Sequence, residues 1–84
     1  MVDVTPITQG SLEYSCLQVF TERGSLDVFS FSIYAATYLD KYSPQSILDT
    51  LVSKGLLQPR QNEFGKFYDL TEQGRVAYRM AVSA

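Results

Sequence analysis

The side chains that could carry chemistry in this chain are few and lie far apart in the sequence. Histidine, the commonest general base and neutral metal ligand, is absent. Cys16 is the only cysteine, so the chain can form neither an internal disulfide nor a cysteine-rich zinc site. The nine carboxylates are scattered, and neither a glycine-rich phosphate loop nor a nucleophile elbow occurs. We therefore predict a protein that is not an enzyme and that uses no metal or cofactor.

A second group of polar residues has a spacing suited to hydrogen bonding. A helix predicted to begin at Pro44 has as its outward positions Gln45, Ser46, Asp49, Thr50 and Ser53, with Lys54 at its end. Amide and hydroxyl groups such as those of Gln45, Ser46 and Thr50 can hydrogen-bond to base edges in a DNA groove. Asp49 would repel phosphates, although a carboxylate can accept a hydrogen bond from cytosine.

The positive charges available for phosphate contacts are few. Seven Lys and Arg residues stand against nine Asp and Glu residues, for a net charge of −2. The candidate phosphate contacts are Lys41, Lys54, Arg60 and Lys66. A clustered patch can bind DNA within an acidic protein, especially if a two-fold dimer doubles it. The alternative is that these four residues are ordinary solvated surface charges, and the sequence leaves both interpretations open.

The second half of the chain has clear signals for its elements. Ser43 is a favourable N-cap, and Gly55 is typical of the left-handed position that ends a helix. Two predicted strands, Leu56 to Gln61 and Lys66 to Leu70, flank a four-residue turn, Asn62 to Gly65. Pro59 predicts an edge strand. A final helix is predicted after Thr71, its cap, with Glu72 in the first turn.

The first half is predicted to hold two helices and a short strand. The first helix runs from Leu12 to Arg23, capped by Thr8 or by its rival Ser11. Its inner stripe, with the cysteine as a small core residue, is Leu12, Cys16, Val19 and Phe20. Partial alternation predicts a strand from Leu26 to Phe31, and a second helix follows near Ser30 to Asp40. Residues 1–7 are predicted to be a loose arm on a single domain of residues 1–84.

This order of elements resembles the winged helix-turn-helix domain of MarR-like and PadR-like regulators. In those proteins the recognition helix typically ends L-x-x-L-x-x-x-G-L and is followed by a hairpin, the wing, and then L-T-x-x-G. The residues that match are Leu48, Leu51, Gly55 and Leu56, and then Leu70, Thr71 and Gly74. The resemblance implies an α+β fold with a three-helix core, a C-terminal two-stranded wing and a further helix. It also implies a homodimer that places the third helix in the DNA major groove and the wing on the backbone.

Aromatic residues favour a different partner. Five Phe and six Tyr are many for a core of this size. Phe20, Phe31 and either Phe67 or Tyr68 are predicted to be core; Tyr14, Tyr34, Tyr42, Phe64 and Tyr78 are predicted to be partly exposed. Exposed aromatic residues are enriched at protein interfaces, so Tyr14, Phe64 and Tyr78 are candidate protein contacts. The alternative is that these rings cover the rim of the core.

Two functions remain from the sequence. The first is a small DNA-binding transcriptional regulator that acts as a dimer on duplex DNA, and the fold resemblance favours it. The second is a winged-helix protein–protein interaction module, an adaptor, subunit or inhibitor, which the acidic charge, Asp49 and Phe64 favour. No apolar run is long enough to span a membrane, and a cytoplasmic location is expected.

Overall fold

Five helices and two strands make up the fold of the residues that the structure describes. The computed structural model of the chain describes residue 7 and residues 9–83. The elements in chain order are α1 (Leu12–Arg23), α2 (Val28–Tyr34), α3 (Ala36–Leu39), α4 (Pro44–Ser53), β1 (Leu57–Asn62), β2 (Gly65–Leu70) and α5 (Glu72–Ser83). The predicted α+β architecture, a helical core followed by a two-stranded wing and a further helix, is confirmed.

The first helix begins and ends where the sequence predicts. Ser11 is its N-cap, because the Ser11 hydroxyl accepts a hydrogen bond from the backbone N–H of Tyr14 at 3.2 Å. The prediction that Thr8 caps the helix concerns a residue outside those described. Ile7 packs against the core, and the remainder of the predicted arm also lies outside the described residues.

The predicted strand from Leu26 to Phe31 is wrong. Only Leu26 pairs, in an isolated bridge to Tyr68, and a helix begins at Val28. The reason is Asp27, whose carboxylate accepts from the backbone N–H of Ser30 at 2.8 Å and so caps a helix immediately after the bridge. The predicted second helix is divided at Ala35 into α2 and α3.

The helix predicted as the third is α4, and the left-handed residue that terminates it is Gly55, as predicted. This glycine has φ +77°, in the left-handed region. The backbone N–H of Leu56 donates to the carbonyl of Leu51 at 2.9 Å, and that of Gly55 donates to the carbonyl of Val52 at 3.0 Å. These two bonds satisfy carbonyls that the end of a helix leaves open, and they turn the chain into the wing.

The wing is a tight hairpin in which Leu57 pairs with Leu70 and Asn62 pairs with Gly65. The predicted four-residue turn, Asn62 to Gly65, lies where expected, but its two end residues pair as the last pair of the strands, which leaves Glu63 and Phe64 between them. Asn62 closes the turn because its side-chain oxygen accepts from the backbone N–H of Phe64 at 2.8 Å. In the described residues, β1 pairs only with β2, so Pro59 lies on an edge strand as predicted.

The two ends of the wing meet at one point. The backbone N–H of Thr71 donates to the carbonyl of Leu56 at 3.1 Å, and the Thr71 hydroxyl donates to the carbonyl of Gly55 at 2.6 Å. The same hydroxyl accepts from the backbone N–H of Gly74 at 2.9 Å, which makes Thr71 the cap of α5 as predicted. The wing thus begins and ends at this hydrogen-bonded junction.

The core lies between the helices and the wing. Its buried members are Cys16, Leu17, Val19, Phe20, Leu26, Phe31, Ala35, Leu39, Leu48, Leu51, Leu56, Leu57, Tyr68 and Ala77. Phe20 and Phe31 stack with ring centroids 5.4 Å apart. The sequence left Phe67 and Tyr68 as alternatives for the core residue of the wing; Tyr68 is buried and Phe67 is half-buried. Among the described residues, no helix is long and apolar enough to cross a membrane.

Candidate nucleic-acid interface

The outward face of α4 is polar and open to solvent. Its exposed residues, with the first residue past the helix, are Gln45, Ser46, Asp49, Thr50, Ser53 and Lys54. The inner face of the helix buries Leu48 and Leu51 completely, so the outer face is fixed on the core. The helical period thus brings the predicted DNA-reading residues together on one surface.

Hydrogen bonds hold Gln45 in a defined orientation. Its side-chain nitrogen Nε2 lies 2.8 Å from Oδ1 of Asp49, one turn along the helix, and 3.0 Å from the hydroxyl oxygen of Tyr68 in β2. The ring of Tyr68 is buried, so the wing supports the outer face of α4 through this contact.

The hydroxyl hydrogen of Thr50 is also used within the helix. Thr50 Oγ1 donates to the backbone carbonyl of Ser46 at 2.9 Å. A hydroxyl bonded in this way keeps its lone pairs for an outside donor. Ser46 itself is exposed, and its backbone N–H donates to the hydroxyl of Ser43, the N-cap of α4.

The candidate phosphate contacts near α4 differ in their surroundings. Lys54, at the end of α4, forms an ion pair with Glu13 of α1. That pair satisfies part of the lysine charge within the protein and reduces what is available to a phosphate. Lys41 is exposed in the turn between α3 and α4.

The wing separates the other two predicted cations, because neighbouring residues on a strand point to opposite faces. Lys66 pairs with Gln61 and lies over the ring of Tyr68, its Nζ 5.4 Å from the ring centroid. Because Tyr68 contacts Gln45, Lys66 is on the α4 side of the wing. Arg60 is on the other face and forms an ion pair with Asp69 at 2.8 Å. The structure therefore does not unite Arg60 and Lys66 in one patch.

Arg60 belongs instead to an open groove of about 680 Å³ between the wing, the end of α1 and α5. Arg75 and Arg79 of α5 also line it, one helical turn apart, and neither was predicted as a site residue from the sequence. Asp69 lies in the same groove, where the hydrogen bond from Ser25 and the guanidinium of Arg60 hold the pKa of its carboxyl below the ordinary value. The spacing of Arg75 and Arg79 on a predicted helix was the available signal.

The predicted protein contacts have different surroundings. Phe64 is 80% exposed at the tip of the wing, as predicted. Tyr14 of α1 and Tyr78 of α5 are half-buried and stack on each other with centroids 5.2 Å apart, so each already covers one face of the other ring. Burial, with the hydrogen bond and charge of Tyr14, raises the pKa of Tyr78. Two further exposed residues were not predicted from the sequence: Phe29, which is 70% exposed on α2, and Ile33, one turn later.

Helices packed under an exposed polar helix, with a hairpin wing and a closing helix, define a winged helix-turn-helix domain. Comparison with solved structures supports this fold. A MarR family protein from Bacillus stearothermophilus superposes with a TM-score of 0.75 at 24% identity, over 94% of this chain and 54% of that one. The PcaV transcriptional regulator of Streptomyces coelicolor superposes with a TM-score of 0.76 at 18% identity, over 95% of this chain and 57% of PcaV. A winged-helix DNA-binding protein from STIV superposes with a TM-score of 0.69 at 20% identity, over 83% of this chain and 82% of that protein.

The extent of these matches differs. The chain spans about half the length of the MarR family protein and of PcaV, but most of the length of the protein from STIV. No protein-family model matches the chain, and no curated protein sequence matches it significantly. At these identities, the similarity to the solved structures establishes the fold.

Proposed function

We propose that this chain is a DNA-binding transcriptional regulator that places α4 in the major groove and its wing along the backbone. The observation that carries the proposal is the exposed polar face of α4, which is held by the core on one side and by Tyr68 of the wing on the other. A helix of this size fits the major groove, and its amide and hydroxyl groups suit base edges. Solved proteins of the same fold include transcriptional regulators and a DNA-binding protein.

Phosphate contacts in this proposal come from Lys41, Lys54 and Lys66, with Arg60 contributing from the far face of the wing. The net charge of −2 makes non-specific affinity low, because that affinity depends on neutralising phosphates. We infer that the working unit is a homodimer, since a two-fold axis doubles the number of lysines on the DNA. We also infer a non-enzymatic role in the cytoplasm, where the unpaired thiol of Cys16 stays reduced.

A protein partner is the second candidate function. The observation that favours it is the exposure of Phe64 at the wing tip and of Phe29 and Ile33 on α2. Large apolar side chains that are open to solvent are typical of contact surfaces between proteins. In that case the chain is an adaptor, subunit or inhibitor, and Phe64 is an anchor residue.

The test measures binding to a random-sequence duplex at low salt by fluorescence anisotropy. We expect binding that weakens as salt rises, and Lys66→Glu should weaken it further on every sequence because the residue lies on the α4 side of the wing. Arg23→Glu is the matched control, since it makes the same charge change in the last turn of α1, outside the groove that holds Arg60. Equal loss in both variants would show that net charge alone is acting.

The alternative has its own outcome. If no duplex binds even at low salt, DNA binding is refuted. A host protein retained by the wild type and lost with Phe64→Ala would then support the interaction module, since a buried aromatic anchor is worth about 2 kcal/mol or more.

A further inference from the structure

We propose that α4 selects cytosine, because the hydrogen bonds within the protein leave three of its outer side chains with acceptors for DNA. These acceptors are Oε1 of Gln45, the carboxylate of Asp49 and Oγ1 of Thr50, which we call the acceptor cluster. The inference rests on the proposed function and specifies which base the helix reads.

The orientation of the Gln45 amide follows from its neighbours. The carboxylate of Asp49 can only accept, so the group that faces it at 2.8 Å must be the amide nitrogen and not the amide oxygen. The same nitrogen meets a second acceptor, the Tyr68 hydroxyl, at 3.0 Å. An amide nitrogen has two N–H bonds, and both are therefore engaged inside the protein. Oε1 remains for an outside partner.

The neighbouring side chains add acceptors of the same kind. Asp49 lies one turn after Gln45 and is exposed, so its remaining lone pairs face solvent. Thr50 follows it on the same outer face and has given its hydroxyl hydrogen to the carbonyl of Ser46. The Tyr68 hydroxyl adds no donor to this surface, because Tyr68 is 1% exposed.

An acceptor cluster discriminates among bases in the major groove. Guanine offers only the acceptors N7 and O6 there, and thymine offers the acceptor O4 with a methyl group. Adenine places the acceptor N7 beside its N6 donor, and a glutamine reads it with one donor and one acceptor. Gln45 has no free donor for N7 without breaking its bonds to Asp49 or Tyr68. Cytosine offers the N4 amino group without a neighbouring acceptor on the same base, so it is the base that fits.

The experiment selects duplexes from a random-sequence pool with three proteins and sequences the bound fraction. With the wild type we expect cytosine at the position that contacts the acceptor cluster. Asp49→Asn keeps an oxygen for Gln45 and turns an N–H outward, so it should shift that position to adenine, with a change of about tenfold in the cytosine-to-adenine ratio. Asp40→Asn is the control, because it removes the same charge from an exposed residue in a turn. Asparagine readily adopts the positive φ of +50° found at that position.

A second variant tests the positioning of Gln45. Tyr68→Phe keeps the buried ring and frees one N–H of the Gln45 amide, so adenine should be accepted beside cytosine. Guanine or thymine at the position that responds to Asp49→Asn would overturn the inference, as would a selection that ignores Asp49→Asn. In both cases DNA binding itself would stand. Retention of no duplex by any of the proteins would refute the proposed function, and cytosine selection with it.

Discussion

At the scale of single residues, Gly74 shows how closely two parts of the chain approach. It lies in the first turn of α5, and a Cβ atom built on it would be 2.2 Å from the carbonyl oxygen of Leu56 and 2.9 Å from Cδ1 of Leu70. Backbone atoms cannot give way as the end of a flexible side chain can. The glycine of the L-T-x-x-G pattern is therefore required by contact between α5 and the start of the wing.

This contact reverses the usual effect of replacing glycine in a helix. In an exposed helix interior, Gly→Ala stabilises by about 1 kcal/mol. Here we expect Gly74→Ala to destabilise the domain by roughly 1–3 kcal/mol, because the methyl group forces the backbone of Leu56 to move. Denaturant unfolding measures the difference, and Arg79→Ala on the exposed side of α5 should be nearly neutral. A more stable Gly74→Ala variant would contradict the packing described.

Leu51 gives a test of the register of α4. Its side chain is completely buried one turn before Gly55, and Leu51→Ala should cost roughly 2–5 kcal/mol through lost burial and the cavity left behind. Ser53→Ala, on the exposed side of the same helix, is the control. Thermal or denaturant unfolding would separate the two. A loss below about 1 kcal/mol for Leu51→Ala would mean that another face of α4 is buried.

Cys16 should be chemically silent in the folded protein. Burial, followed by the charge of Glu13, raises the pKa of its thiol to about 12, so almost no thiolate forms at pH 8. We expect a disulfide reagent such as DTNB to react with native protein only at the rate of unfolding and to react at once in denaturant. Fast labelling without denaturant would show that the α1 stripe opens in solution.

At the scale of elements, α2 shows what a short pattern cannot decide. Residues 26–31 alternate in part as a strand does, yet a helix begins within them. The deciding feature is that Leu26 has a partner in Tyr68 for one bridge only, after which Asp27 caps α2. The bridge depends on where β2 lies in space, whereas the Asp27 cap is a local contact. Gly55 and Thr71 also mark their helix boundaries locally, and the sequence predicts both.

The cap of α2 gives an expectation for acid stability. Hydrogen bonds from the side chain and then the backbone of Ser30 lower the pKa of Asp27 in the folded state. The stabilisation is therefore complete above the unfolded-state pKa, near pH 4, and is lost as the pH falls through the lower folded-state value. In Asp27→Asn the cap remains without a charge to titrate.

Thermal midpoints of both proteins between pH 2 and pH 7 measure this effect. The remaining carboxylates, including Asp69, titrate alike in the two proteins, so the difference between the curves reports Asp27. As the pH is lowered, we expect the thermal midpoint of the wild type to fall further than that of Asp27→Asn. Parallel curves would mean that Asp27 has no lowered pKa in the folded state.

The arrangement of the elements also explains which parts of the candidate site could be predicted from the sequence and which could not. The helical period alone places Gln45, Asp49 and Thr50 on one outer face. The separation of Arg60 from Lys66 follows from strand alternation once Gln61 is paired with Lys66. The bond between Gln45 and Tyr68 joins residues 23 positions apart, and no local pattern reveals it.

At the scale of the whole molecule, the distribution of exposed apolar residues bears on self-association. Tyr14 and Tyr78 stack within the chain, while Met80 and Val82 near the end of α5 are 59% and 49% exposed. If the homodimer forms through α1 and α5, Met80→Glu should shift sedimentation towards the monomer. Phe29→Glu, which adds the same charge to α2, is the control. Dissociation by Phe29→Glu alone would place the interface on α2, and a monomeric wild type at high concentration would refute the dimer.

The junction at Thr71 and Leu56 also bears on how such a protein can change over evolutionary time. Two hydrogen bonds from Thr71, to the carbonyls of Leu56 and Gly55, join the two ends of the wing, and Tyr68 anchors its middle. The turn at Glu63 and Phe64 lies beyond these contacts, so its length does not change how the wing is anchored. Doubling the length of a loop costs only about 0.6 kcal/mol in closure entropy. Insertions between Glu63 and Phe64 can therefore accumulate while α4 stays in place. Descendants of this domain can alter how far the hairpin reaches without rebuilding the helix beside it.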